Sequence, residues 1–339
     1  MLVKGMRTKL IWILLGAFFL ALAWACLFTG SVDIPLEDTW RVLTGGEASR
    51  STYKHIILEL RIPLTVTAIC TGSALSVAGL MLQTVFNNPL AGPSVLGVST
   101  GASLGVAVMT LALPGVLPVQ ASAILGALVG AGLIIMLLLG FSTFVRSAMM
   151  LLIVGIMLNY LTSSVISLMN FYATQEGVHS YVIWGLGNFS GVGSGDLLNY
   201  TLIILATLGL TVFMVKPLNA LLLGERYASN VGVDVRRSRC SILVLSGILI
   251  GVTTAYCGPI GFIGLAVPHI ARLLFRTSNH IRLLPAVVVT GAVTGLLTLW
   301  LTTVPGSRGM LPVNAITPVI GVPVVIYIII NRRKLSYFN

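Results

Sequence analysis

Charge is what this chain has least of. Asp and Glu number 9 and Lys and Arg 20 in 339 residues, so charged side chains make up 9% of the whole, where a soluble domain carries about 25%. Apolar residues make up 56%, which leaves too little polar surface to cover a soluble globule. The same hydrophobicity excludes a disordered chain. Cysteine is scarce too: Cys26, Cys70, Cys240 and Cys257 stand far apart in apolar stretches with no CxxC pair. They read as buried small apolar residues, not as a disulfide framework or a zinc site. His55, His179, His269 and His280 are scattered without HExxH or paired ligand spacing. GxxxxGK[ST] does not occur, so the chain carries no P-loop of its own. No catalytic residue and no metal ligand is assigned, and the chain reads as something other than an enzyme.

What is present is hydrophobic length. Mean hydropathy is +1.01, and a spanning helix needs about 20 apolar residues. Apolar runs separated by Gly, Pro and polar clusters fall at 10–30, 63–84, 95–113, 121–141, 149–171, 197–215, 240–257, 260–275, 284–303 and 313–331. The fold class expected is an all-α polytopic membrane protein with ten transmembrane helices in a single domain over 1–339. The first run follows Lys4, Arg7 and Lys9 and is longer than the about 7–15 residues of a signal-peptide core, so it reads as an uncleaved span.

The net charge of +11 is a topological label. With the N-terminus inside and the spans alternating, only Arg41, Arg50, Lys54, Arg61 and Arg308 of the 20 bases fall outside, against seven of the 9 acids. The excess of bases on one side is the cytoplasmic signature, and it places both termini in the cytoplasm. Those bases meet anionic headgroups; a nucleic-acid patch would need them clustered on a soluble surface.

Every Asp and Glu lies in a loop or at a span edge, whereas ion-coupled transporters place ionisable groups near the midplane. The mid-span polar residues are neutral: Gln83, Asn159 and Asn314. They either hydrogen-bond between helices or line an aqueous path. A pathway without an energy source is a passive channel or one part of a machine whose engine is another subunit; a secondary transporter is the further alternative. The longest inside loop, 216–239, is polar, with LGERYASNVGVDV between helix-breaking glycines. It reads as a short helix on the cytoplasmic face where such an engine docks. GLMLQTVFNNPLAGP (79–93) and GPIGFIGLAVP (258–268) echo one another at the ends of spans running in opposite directions, a weak inverted internal repeat of the kind transporters use.

Four ordered strings carry a family resemblance. RIPLTVTAICTGSALSVAGLMLQTVFNNPLAGPSVLGVSTGAS (61–103) resembles the signature region of the FecCD, or BtuC-like, permeases for iron-siderophore, haem and cobalamin import, including N-P-L-A-x-P-x-x-L-G. LGERYASNVGV (223–233) resembles their coupling loop. GPIGFIGLAVPHIARLL (258–274) resembles their G-x-I-x-F-x-G-L-x-x-P-H-x-x-R element, and LPVNAITPVIGVPVVIYII (311–329) their last span.

The resemblance implies the permease subunit of an ATP-driven importer in the bacterial cytoplasmic membrane, carrying a bulky metal chelate, with a ferric siderophore ahead of cobalamin and haem. It implies a second permease copy, with a homodimer expected, two cytoplasmic ABC ATPase subunits and a substrate-binding protein outside. No cofactor would be bound by this chain; ATP-Mg would sit on the partner ATPase. Gly224, Glu225, Arg226, Ala228, Val231 and Gly232 would form the ATPase coupling helix. Asn88, Pro89 and Leu90, with Ala148 and Met149 at the start of the fifth span, would form the cytoplasmic gate, hydrophobic at Met149. Arg61 would dock the binding protein, with Arg308, Arg50 and Lys54 as further docking bases. The chain departs from the family pattern at Leu64, where a second Arg is usual. It departs also at Leu299 and Thr303, in place of an Asp and an Arg, at Met310 in place of a Glu, and at Asn314 in place of a Gly.

Overall fold

A computed structural model describes residues 2–113, 115, 118–145, 147–304 and 309–331. Arg146, Arg308, Arg332, Arg333 and Lys334, all among the 20 bases counted above, lie outside them. Among the described residues the chain is helical throughout, without a strand. The helices are α1 (Leu2–Phe28), α2 (Leu36–Leu43), α3 (Ser51–His55), α4 (Ile62–Val85), α5 (Val98–Ala107), α6 (Val119–Phe144), α7 (Ala148–Tyr172), α8 (Gln175–Gly185), α9 (Leu197–Thr211), α10 (Val215–Leu221), α11 (Glu225–Asn230), α12 (Val235–Cys257), α13 (Ile263–Phe275), α14 (His280–Thr303) and α15 (Val313–Asn331). Each of the ten apolar runs falls on one of the apolar helices or helix pairs. Seven of these are long enough to cross a membrane by themselves; Val98–Ala112, Ile263–Phe275 and Val313–Tyr327 are shorter. At 1.5 Å per residue, thirteen residues of α13 rise about 20 Å, against a hydrocarbon core of about 30 Å.

The centre of the bundle is α4, buried for most of its length and packed by α9, α12, α13 and α14. Lipid supplies no hydrophobic drive between helices, so close backbone approach must do the packing. Glycine permits it here. A Cβ on Gly79 would lie 1.8 Å from the Gly264 carbonyl oxygen of α13, and one on Gly105 of α5 would lie 1.8 Å from that of Gly126 of α6. The two echoing segments, 79–93 and 258–268, are therefore packed against each other at the Gly79–Gly264 crossing.

The breaks beside these segments follow from chemistry readable in the sequence. After α4 the backbone turns left-handed at Asn87 (φ 43°), a residue that tolerates this region, and Pro89 prevents the helix from resuming. Before α13 the chain passes through Gly258 (φ 74°) and Phe262 (φ 65°). For a bulky residue such as Phe that conformation is strained. Three of the four cysteines are buried, and Cys240 is half-buried.

Candidate coupling, gating and docking sites

The loop at 216–239 folds as expected into a short helix, α11, bracketed by glycines with positive φ, Gly224 (101°) and Gly232 (88°). Asp234 caps α12 by accepting the Arg237 amide at 2.9 Å. Of the six residues singled out for coupling, Arg226, Val231 and Gly232 are exposed, and Gly224 and Glu225 are half-buried. Ala228 is not on the surface: it has no exposed area and packs inward. Glu225 Oε1 accepts Arg239 Nη2 at 2.5 Å, and the Arg239 side chain is buried, so Glu225 ties α11 to α12 instead of facing outward. The large apolar side chains that do face outward are Leu223, Tyr227 and Val231. Leu223 and Tyr227 were missed in the sequence, although their spacing of four with Val231 inside a polar loop was visible there.

At the end of α4, Asn88 accepts the Leu90 amide on its own Oδ1 at 2.9 Å, an Asx turn, and its own amide donates to the Gln83 carbonyl at 3.1 Å. The Pro89 carbonyl accepts His269 Nε2 at 2.8 Å. Because a carbonyl only accepts, Nε2 carries the proton. Gln83 is held on both ends: Arg272 Nη1 donates to its Oε1 at 2.7 Å, and its Nε2 donates to the Leu265 carbonyl at 3.1 Å. Leu90 is exposed, and Met149 is 67% exposed, but Ala148 is buried. The exposed members of the expected gate are thus Leu90 and Met149.

Of the three amides read from the sequence as mid-span, only Asn159 lies in the middle of a helix, α7; Gln83 stands near the end of α4 and Asn314 near the start of α15, and each bonds to another segment. Asn159 Oδ1 accepts Thr100 Oγ1 at 2.5 Å. Asn314 accepts the Gly261 amide at 3.1 Å and donates to the Gly185 and Pro259 carbonyls at 3.2 and 2.6 Å. Asn314 therefore pins α15 to the turn before α13 and to the end of α8.

On the docking side the structure corrects one expectation. Arg61 is 6% exposed. Its Nη1 donates to the Leu27 carbonyl at 2.8 Å and its Nη2 to the Val32 carbonyl at 2.6 Å. Leu27 lies in the last turn of α1, whose carbonyls have no partner in their own helix. Gly30 leaves room for the guanidinium: a Cβ there would lie 3.3 Å from its Nε and Nη2. Arg61 is an internal clamp between α1 and α4, not an exposed docking base. Arg50, 5.6 Å over the Tyr53 ring, and Lys54 are exposed; Arg308 lies outside the described residues. Nearby, Asp38 accepts the Ser49 amide and hydroxyl at 2.9 and 2.7 Å, and these bonds hold its carboxyl below the usual range. Four of the departures from the family pattern, Leu64, Leu299, Thr303 and Met310, line one cavity of about 210 Å³ together with Arg61. Positions scattered over the sequence are therefore gathered in one place.

An all-helical bundle around a buried central helix, with seven helices long and apolar enough to cross a membrane, defines a polytopic membrane protein. Residues 14–331 match the model of the FecCD transport family. The chain belongs to that family: it is a multi-pass membrane permease, a transport subunit and not an enzyme. It is 31% identical over 313 residues to the hemin transport system permease protein HmuU of Yersinia pestis, covering 90% of each chain. It is 34% identical over 307 residues to the vitamin B12 import system permease protein BtuC of Klebsiella pneumoniae, covering 91% of each. A solved structure described as an inward-facing conformation of a putative metal-chelate type ABC transporter superposes with a TM-score of 0.83 at 26% identity, covering 96% of this chain and 99% of that one.

Proposed function

We propose that the chain is the permease of an ATP-driven importer and carries a bulky metal chelate, a ferric siderophore, haem or cobalamin, from an external binding protein into the cytoplasm. Residues 1–339 form one domain of ten spans with both termini cytoplasmic, and two copies enclose the path about a twofold axis. The observation that carries the reading is family membership over residues 14–331 in a chain with no acid placed to couple ion flow. ATP is bound and hydrolysed on two partner ATPase subunits. Leu223, Tyr227 and Val231 offer those subunits an apolar contact, and the Glu225–Arg239 pair holds that contact rigidly to α12. Such a contact needs an apolar anchor in a pocket more than it needs area. Leu90 and Met149 close the cytoplasmic end of the path. Arg50 and Lys54, with Arg308, are the bases that meet the binding protein.

Two measurements test this. The chain expressed with its ATPase should purify as a complex of two permeases and two ATPases, and native mass spectrometry of its binding protein should find a metal chelate. A permease that assembles with no ATPase, or a partner protein loaded with an amino acid or sugar, contradicts it.

A further inference from the structure

The buried polar groups around the end of α4 extend beyond the gate residues themselves. Arg272 on α13 is 7% exposed. The ion pairs of the described residues are Arg41–Glu37, His55–Glu59, Arg237–Asp234 and Arg239–Glu225, so no carboxylate neutralises it; its guanidinium is held by the Gln83 amide. One turn earlier on α13, His269 holds the Pro89 carbonyl. Next to Gln83, Thr84 Oγ1 is 3.0 Å from His280 Nε2 at the start of α14. His280 in turn meets Asn219 Oδ1 of α10 through its Nδ1 at 3.0 Å and its backbone amide at 2.8 Å. Asn219 Nδ2 reaches Asn279 Oδ1 at 3.1 Å. α10 ends at Leu221, four residues before α11 begins.

These bonds, together with two steps along the chain, from Thr84 to Gln83 on α4 and from Arg272 to His269 on α13, connect α10, which leads into α11, to the Asn88–Leu90 segment through α14, α4 and α13. Apolar side chains of similar volume fill such a space at lower cost than a buried cation. What buried polar bonds between helices add is fixed geometry. We infer that His269 and Arg272 are positioning residues of the gate, and that Asn219, His280, Thr84 and Gln83 deliver to the Asn88–Leu90 segment the displacement that ATPase subunits impose on α10 and α11. His269 pulls directly on the Pro89 carbonyl. Arg272 holds the α4 end, through Gln83, in register with α13. The inference rests on the ABC-permease reading.

The test uses the complete complex with its ATPase and binding protein in lipid vesicles. Leu90→Cys serves as a reporter, and its maleimide labelling is read over the background of the unsubstituted chain. In the parent, labelling differs severalfold between nucleotide-free and Mg-ATP-bound states. With His269→Ala this ATP dependence is lost while ATP hydrolysis continues. His269→Gln, whose amide can donate to Pro89 as Nε2 does, restores it. Asn219→Ala, at the opposite end of the path, loses it as His269→Ala does and decides the matter if the His269→Ala protein fails to assemble. An ATP dependence intact in either alanine variant overturns the inference. So does a parallel loss of hydrolysis and labelling change in His269→Ala and His269→Gln alike, which marks a purely structural role. A parent whose labelling ignores ATP refutes the transport reading itself, and is thereby told apart.

Discussion

Replacing Arg61 by Met keeps most of the length of the side chain and removes its donors. Two bonds to carbonyls are lost, at 2.8 and 2.6 Å, and the Leu27 and Val32 carbonyls are left without that partner. Hydrogen bonds involving a charged group contribute about 1.5–3 kcal/mol each. Two such bonds, less the desolvation recovered when a buried cation is removed, leave a loss of about 3 kcal/mol. Unfolding entropy of about 2.1 cal/mol/K per residue gives about 0.7 kcal/mol per degree for a chain of this length, so the midpoint should fall by about 4 °C. The assay is thermal unfolding of the purified complex in detergent at one scan rate, since membrane assemblies unfold irreversibly. Binding-protein affinity is measured beside it at two salt concentrations. A clamp loses midpoint and keeps affinity. An unchanged midpoint with a salt-sensitive loss of affinity would refute the clamp and return Arg61 to the docking surface.

Gly79→Ala puts a methyl 1.8 Å from the Gly264 carbonyl and should cost about 1–3 kcal/mol or prevent assembly, whereas Gly209→Ala, with open space around it, should be neutral in the same melting assay. Tyr227→Asp should weaken ATPase association by about 2 kcal/mol, roughly thirtyfold, measured by titration of the ATPase onto permease in nanodiscs. Met149→Ala should raise the passive leak of proteoliposomes, and an unchanged leak rejects Met149 as a gate. Asp38 is held below its ordinary value of 3.8 by Ser49. Its pin is intact above that value and is lost as pH falls through the lowered one. The protection of residues 36–49 against hydrogen exchange, taken relative to the intrinsic rate at each pH, should therefore fall on acidification, and at a higher pH in Ser49→Ala.

Much of the fold was legible because lipid imposes simple rules. Long apolar runs must be helices, and the ten runs fall on helices; even the break after Val85 was signalled by Asn87, Asn88 and Pro89. The site was less legible where direction mattered. Sequence similarity marks Ala228 and Arg61 as members of functional strings but does not say which way a side chain points. Ala228 is turned inward by its place on α11, and Arg61 is drawn inward by the open carbonyls at the end of α1. His269 and His280 looked isolated because their partners lie 180 and 196 residues away. No local spacing records such a pairing. The convergence of Leu64, Leu299, Thr303 and Met310 on one cavity was likewise hidden until the helices were packed.

The central claim is that this chain moves its cargo with energy taken from ATP by a partner. Vesicles should be built with the permease, its ATPase and its binding protein, with the purified binding protein carrying its own radiolabelled ligand. Accumulation above the external concentration should require Mg-ATP on the cytoplasmic side and should be indifferent to collapse of proton and sodium gradients. Accumulation driven by such a gradient without ATP, or mere equilibration regardless of ATP, would contradict it.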